Sequence, residues 1–590
     1  MNKKSILDIF RKFKFPTKKE INQGLNSFKQ KDWAIIGFLV LLMITSSIML
    51  LSKINKHIAT VIPAEGGSVT EGIIGTPRFV NPVLALSGPD KDLTKLVYSG
   101  LMRSNEDGEF LPDLAESYTV SENGLIYTFT LKDEVSFHDG TKVTSEDIIF
   151  TIRQIQDPLL KSPERVNWEG VRAEKVDRKT IKFTLRQPYI SFLDNATVGI
   201  LPSHIWSNIA TEQFSFSDFN LKAVGSGPYK VSSIKKKSSG IIERFELKSF
   251  KNFSLGRPYI DSVNLYFYSN ENSLTKALDN GSIDAAHALT PNYVADKYPK
   301  KENLKTAPLA RSFSLFFNKN QNPIFQDEEV LEALELAIDK TTIISLVLNG
   351  FGSPINHPIP KTIAEFQTLE KIDIEKPFKE RQQEAEKKLD SLGWKKGDDG
   401  FRSKGGSELS FSISTGNAFE LQQAAEIIRE YFNLIGVRAE LKVFEIGNLN
   451  QNIIRTRNYE VLFFGQIISK EADLYAFWHS SQKDDPGLNI AMYTNKKVDE
   501  ILEKLLKETP TPERFKLYAN LKKEMSNSKP AIFVYSPDFI YITPKNVKNI
   551  SYKTITQASD RFNSIHTWYI QTDTIWNVFL PKDNTNITFN

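Results

Sequence analysis

Two hydrophobic periods run through most of this chain, and one segment has none. In "GLIYTFTLKDE" the residues Leu125, Tyr127, Phe129 and Leu131 alternate with Thr128, Thr130 and Lys132, the period of two expected of a half-buried strand. "RKTIKFTLRQ" repeats the pattern with Ile181, Phe183 and Leu185 on the apolar face. In "DEEVLEALELAIDKTTIISLVLNG" the spacing lengthens: Val330, Leu334, Ala337 and Ile338 form one stripe, acids open the run and Gly350 closes it, which predicts a helix. "ELQQAAEIIREYFNLIG" does the same and stops at Gly436. Strands and helices alternate irregularly, with no fixed-period repeat, so the prediction is a mixed α/β protein with long-range strand connections. At 590 residues there is room for two to four domains.

The segment without a period is "WAIIGFLVLLMITSSIMLLS", residues 33–52, which carries no charge. At about 1.5 Å per residue it spans roughly 30 Å, the thickness of a bilayer's hydrocarbon core. Trp33 stands at one edge, where an interfacial aromatic is favoured. Net charge is +4 overall, but residues 1–31 hold nine basic side chains against Asp8 and Glu20, so the remainder is slightly acidic. Nothing therefore marks the body as nucleic-acid-binding. The positive-inside rule keeps residues 1–32 in the cytoplasm, makes 33–52 a single-pass anchor in the cytoplasmic membrane, and sends the bulk of the chain to the periplasm or cell surface behind a linker at 53–67. A cleaved signal peptide is the other reading. The long basic region, the long apolar run and the want of a clear cleavage site beyond "VIPAE" (61–65) weigh against it. With no cysteine, disulfides, thiolate metal sites and cysteine nucleophiles are excluded.

One stretch looks catalytic: "VSFHDGTKVTSED" sets His138 beside Asp139, with Thr144, Ser145, Glu146 and Asp147 following. Each polar residue has a simpler use. Asp139-Gly140 is a hairpin-turn signal, and Thr144 with Asp147 reads as a helix cap ahead of the stripe Ile148, Ile149, Ile152, Ile155. No HExxH, GxxxxGK[ST], GxSxG or GxGxxG occurs, and the seven histidines are not spaced as metal ligands. The expectation is no metal, no cofactor and no enzyme. "VGSGPYKV" (224–231) lacks the lysine and helix of a phosphate loop, and reads as a turn into a strand.

Taken together, several blocks resemble the family 5 extracellular solute-binding proteins, the oligopeptide- and dipeptide-binding components of ABC importers. The region 81–152 carries "YSGL", a P-x-LA-E-S block and "FHDGTKVTSED"; "VGSGPYKV", 259–286, 317–340 and 498–521 follow in the family's order. The resemblance implies a two-lobed periplasmic-binding-protein fold, class II, with the extra inserted domain of the peptide-binding group, preceded by one transmembrane helix. Lobe I would comprise 68–103, 200–308 and 530–565, the insert 104–199, lobe II 309–529, and 566–590 a C-terminal tail. It implies no chemistry, only capture of a peptide or other small solute and delivery to ABC permease subunits. A ligand-sensing receptor signalling through a partner, a binder of a non-peptide solute, and an extracellular hydrolase are the alternatives.

The family's amine-anchoring aspartate follows a glycine–tryptophan pair. Here "FFGQIISKEADLYAFWHSSQ" places Gln466 at the tryptophan and Ser469 near the aspartate, with Glu471 and Asp473 as possible substitutes. The expected pocket wall is Phe463, Gln466, Ser469 and Asp473, faced by Ser87 and Gly88. Equally, Asp473 would cap a helix whose Trp478 simply packs. Phe79, Asn81 and Tyr98 are expected to be structural. Arg311, near the predicted lobe crossing, would meet either a ligand carboxylate or a surface salt-bridge partner.

Overall fold

The structure, a computed structural model, describes residues 17–189, 191–359, 376–507, 512–553 and 555–576. The start of the predicted basic tail, the end of the predicted C-terminal tail, and 360–375 and 508–511 within the predicted second lobe lie outside the described residues. The chain separates into two compact units, Met1–Ala64 with Gln571–Asn590, and Glu65–Ile570.

The smaller unit holds the helix Gln30–Ile58. Its part Gln30–Leu51 is long and apolar enough to cross a membrane, and none of it is buried against protein. The strand Ala59–Ala64 then pairs antiparallel with Gln571–Trp576, from Ala59↔Trp576 to Ala64↔Gln571. The expected linker at 53–67 thus contains a strand, and the expected C-terminal tail from 566 supplies its partner. Six-residue runs such as "ATVIPA" and "QTDTIW" gain strand character only from each other, a pairing of distant segments that local periodicity does not reveal.

The larger unit is organised by a twelve-stranded sheet. The elements that matter for the site are strand β1 (Ser68–Ile74), helix α1 (Gly88–Val97), and strands β2 (Ser262–Tyr268), β3 (Ala285–His287), β4 (Leu304–Pro308) and β5 (Arg311–Phe317). They continue with strand β6 (Ser410–Gly416), helix α2 (Phe419–Leu434), strands β7 (Arg438–Phe444) and β8 (Val461–Ile467), helix α3 (Glu471–Trp478) and strand β9 (Ala531–Ile542). The start of β9 pairs antiparallel with β5, from Phe316↔Ala531 to Phe313↔Tyr535. Its end pairs with β4, from Pro308↔Asp538 to Leu304↔Ile542, and with β3 at His287↔Tyr541. The two halves also enter different cores: Ile532, Val534 and Tyr535 pack with β5, β6 and β8, whereas Phe539 and Tyr541 pack with β1 and β2. The chain thus passes between two packed bodies along β9, and again at Leu309–Ala310 between β4 and β5.

The predicted strand faces are realised in a four-stranded sheet, Ala115–Val120, Ile126–Leu131, Thr180–Thr184 and Arg172–Lys175, where Phe129, Ile181 and Phe183 are fully buried. The predicted helix beginning at 327 is two helices, Glu328–Leu336 and Lys340–Leu348. Asp339 divides them by capping the second: its carboxylate accepts from Thr342 N (3.2 Å) and Thr342 Oγ1 (2.7 Å).

His138 is structural. Its Nδ1 accepts from Gly225 N (3.2 Å) and its Nε2 lies 3.0 Å from Gly227 O, which fixes a neutral ring with the proton on Nε2. Burial pushes its pKa down to about 4. The two blocks "FHDG" and "VGSGP" are therefore halves of one contact. Behind them Thr144 N and Oγ1 donate to Asp147 Oδ2 at 2.8 and 2.9 Å, the predicted cap.

Candidate ligand-binding cleft

Strand direction places the cleft. β2 and β3 run parallel to β1, and β7 and β8 run parallel to β6. Register sets the end of β8 beside the start of β5, Ile467↔Arg311, and starts β3 at the end of β9, Ala286↔Ile542 and His287↔Tyr541, from where β3 runs antiparallel toward the middle of β9. In both bodies the carboxyl ends of parallel strands meet the chain crossings, the position where open α/β sheets bind ligands.

A cavity of about 410 Å³ lies there. Its walls come from the end of β3 (His287 to Leu289), the crossing and β5 (Leu309, Arg311, Phe313), the start of α2 (Ala418, Glu420, Leu421) and β9 (Tyr535 to Ile540). The lining is mainly aromatic and aliphatic; Phe313 and Tyr535 stack with centroids 4.9 Å apart. Arg311 is its unpaired cation: among the described residues its guanidinium makes no ion pair or hydrogen bond, and partial desolvation lowers its pKa. His287 stands against Asp92, Nε2 to Oδ2 3.4 Å. Beneath it the fully buried Arg561 guanidinium clamps Asp92 (Nη1 to Oδ1 2.8 Å) and Glu71 (Nε to Oε1 2.8 Å), while Tyr541 OH donates to Glu71 (2.8 Å). Burial opposes the Asp92 charge, yet Arg561 holds its carboxyl well below the usual range. This network ties β1, α1 and β9 together under the cavity floor.

Of the sequence-predicted residues, the cavity gathers Arg311 alone. Phe463 is a correction: it is fully buried behind the wall, 6.5 Å from the Phe313 ring and 6.3 Å from Tyr535. Strand alternation explains this, since Val461 and Phe463 share the face that packs in the core with α2. Gln466, on the opposite face of β8, is 3% exposed, and among the described residues neither its Nε2 nor its Oε1 has a hydrogen-bond partner. Ser87 and Gly88 are exposed at the start of α1, where Ser87 Oγ donates to Asp90 Oδ2 (2.7 Å) in a capping box.

The loop after β8 is committed to protein contacts. Asp473 Oδ2 accepts from Ser469 N and Oγ (both 2.7 Å) and from Lys470 N (3.1 Å), so it caps α3, and Trp478 is fully buried. Glu471 accepts from Arg514 and, at 2.5 Å, from Tyr518 OH; burial raises its pKa, but Arg514 and the hydrogen bonds to the carboxylate together outweigh this and hold it low. Neither carboxylate stands free in place of the family's aspartate. Two further contacts join this loop to 191–194: Ser191 Oγ donates to Glu471 Oε2 (3.0 Å), and Lys470 Nζ lies 3.4 Å from Asp194 Oδ2. Sequence reasoning missed His287, Phe313, Glu420 and Tyr535. Their shared signal is position at strand ends or on crossing strands, which emerges only once strand order is known.

Two packed α/β bodies, two chain crossings and a cavity at the carboxyl ends of the strands define a hinged ligand-binding protein. The family "Bacterial extracellular solute-binding proteins, family 5 Middle" matches residues 109–486, and the chain belongs to that family. The oligopeptide-binding protein AppA of Bacillus subtilis (strain 168) is 27% identical over 517 residues, 86% of this chain and 92% of AppA. Its structure in complex with a nonapeptide covers 86% of this chain and 100% of that chain, at 25% identity and a TM-score of 0.64. The glutathione-binding protein GsiB of Escherichia coli (strain K12) is 25% identical over 450 residues, 72% of this chain and 80% of GsiB. The structure of NikZ from Campylobacter jejuni in complex with Ni(L-His) covers 85% of this chain and 99% of that chain, at 28% identity and a TM-score of 0.65.

Proposed function

We propose that this protein is a membrane-anchored extracytoplasmic receptor that captures an oligopeptide between its lobes and hands it to the permease of an ABC importer. The observation that carries the reading is the cavity at the two chain crossings, lined from both bodies and holding an unpaired Arg311. A ligand there would bridge the bodies and favour their closed arrangement. Arg311 would meet a ligand carboxylate. Ser469 and Asp473 would shape the loop, with Ser87 and Gly88 at the opposite rim. The unburied helix Gln30–Leu51, behind a basic tail, would hold the receptor in the cytoplasmic membrane and raise its effective concentration near the permease.

The committed Glu471 and Asp473 favour a second reading, a non-peptide solute. Mass spectrometry of ligand released by denaturing the purified full chain separates the two. A ladder of short peptides supports peptide capture; a single non-peptide compound overturns it in favour of a changed substrate on the same fold.

A further inference from the structure

The usual amine anchor is missing here, and both nearby carboxylates are spent on Arg514, Tyr518 and a helix cap. Peptide capture through the ligand's amine therefore needs another acid, and the cavity lining supplies the candidates. Asp538 is already engaged within the protein. Glu420, in the first turn of α2, lines the same cavity, is half-buried, and has no side-chain hydrogen bond or ion pair among the described residues. It does not pair with Arg311 across the cavity, so two opposite charges stand separately among Leu309, Phe313, Leu421, Tyr535 and Phe539. Its charge is felt at the Tyr535 phenol, where burial and then Glu420 raise the pKa.

We propose that Glu420 is the amine-recognising group of this receptor, and that with Arg311 it selects a zwitterionic ligand whose side chains are apolar: a short peptide with both ends free. The proposal rests on the peptide reading above. It assigns the ammonium to Glu420, the carboxylate to Arg311, and side chains to the aromatic wall between them. Glu420 is half-buried and Arg311 still reaches water, so each gives up only part of its hydration to meet a ligand charge, and a ligand bearing both charges gains from both. The competing role for Glu420 is local: an acid in the first turn of a sixteen-residue helix stabilises it through the macrodipole. That role has no bearing on whether a ligand's amine is free.

The test uses the full chain in detergent, freed of co-purifying ligand by unfolding and refolding. An equimolar library of tri- to pentapeptides of Leu, Phe and Val is offered with free ends, N-acetylated, or C-amidated, and binding is read by native mass spectrometry and calorimetry. In the wild type, acetylation and amidation should each weaken binding tenfold or more. In Glu420→Gln the acetylation penalty should vanish while the amidation penalty persists; Arg311→Met should show the reverse, and Glu420→Asp should restore part of the amine preference. Equal acetylation penalties in wild type and Glu420→Gln would overturn the assignment while leaving peptide capture intact. Failure of every peptide to bind the wild type would overturn the peptide reading itself, and this assignment with it.

Discussion

His138 shows how a residue that looks chemical can be holding the fold. Its ring is neutral because burial and the Gly225–Gly227 backbone leave no room for a second proton, and its pKa falls to about 4. In an unfolded chain a histidine titrates near 6.5, so above that value both states are neutral and stability does not depend on this group. As pH falls from about 6.5 to 4 the unfolded chain takes up a proton that the native ring refuses, and stability is lost, by about 3 kcal/mol at most. His566, lowered to about 4 chiefly by burial, adds in the same direction. The melting temperature should therefore drop between pH 7 and 5, and drop less in His138→Gln, as scanning calorimetry would show. Arg561 is a harder case. Arg561→Met leaves the buried Glu71 and Asp92 without their shared guanidinium, and should cost about 3–5 kcal/mol in urea unfolding, partly recovered by adding Glu71→Gln. The sequence marked His138 as structural because turn and cap signals surround it. It gave no hint of Arg561, whose partners lie far away along the chain.

At the scale of elements, periodicity located strands and helices but not their breaks or partners. The run from 327 keeps an apolar stripe through Asp339, so one helix is the natural reading, yet Asp339 serves as a cap and turns the chain. Asp339→Ala should lower stability by about 1 kcal/mol in urea unfolding, a capping loss rather than a packing loss, and Asp339→Ser should recover most of it. Phe463 was misplaced for a related reason. Its neighbour Gly465 leaves that face of β8 open to the Phe313 ring, and a wall position cannot be told from the layer behind it until β5 is known to lie alongside. That Arg311 stands at a crossing was legible, because the crossing could be located from the order of blocks. That Glu420 lines the same cavity was not, because a first-turn glutamate on an amphipathic helix looks like ordinary helix chemistry.

At the scale of the whole molecule, the contacts between 191–194 and 470–471 bear on opening and closing. Lys470 and Asp194 are only partly buried, with side chains 18% and 42% exposed, so the pair contributes at most about 1 kcal/mol. The Ser191–Glu471 hydrogen bond is comparable. Together they favour the closed arrangement by about 1–2 kcal/mol, a bias on the ligand-free protein that adds to what a ligand bridging the crossings supplies. Ser191→Ala with Asp194→Asn should leave the melting temperature nearly unchanged, because both cores are untouched. The ligand-free protein should open further in small-angle scattering, and Kd should rise by roughly five- to thirtyfold, the equivalent of 1–2 kcal/mol, mainly through faster release. Arg514→Met acts on the same Glu471 from the other side but leaves it buried without a counter-charge, so it should destabilise the surrounding body instead, with a loss of several kcal/mol. If the double variant lost stability as Arg514→Met does, these contacts would belong to the fold; a shift in Kd and opening alone would make them a latch on the ligand-bound state.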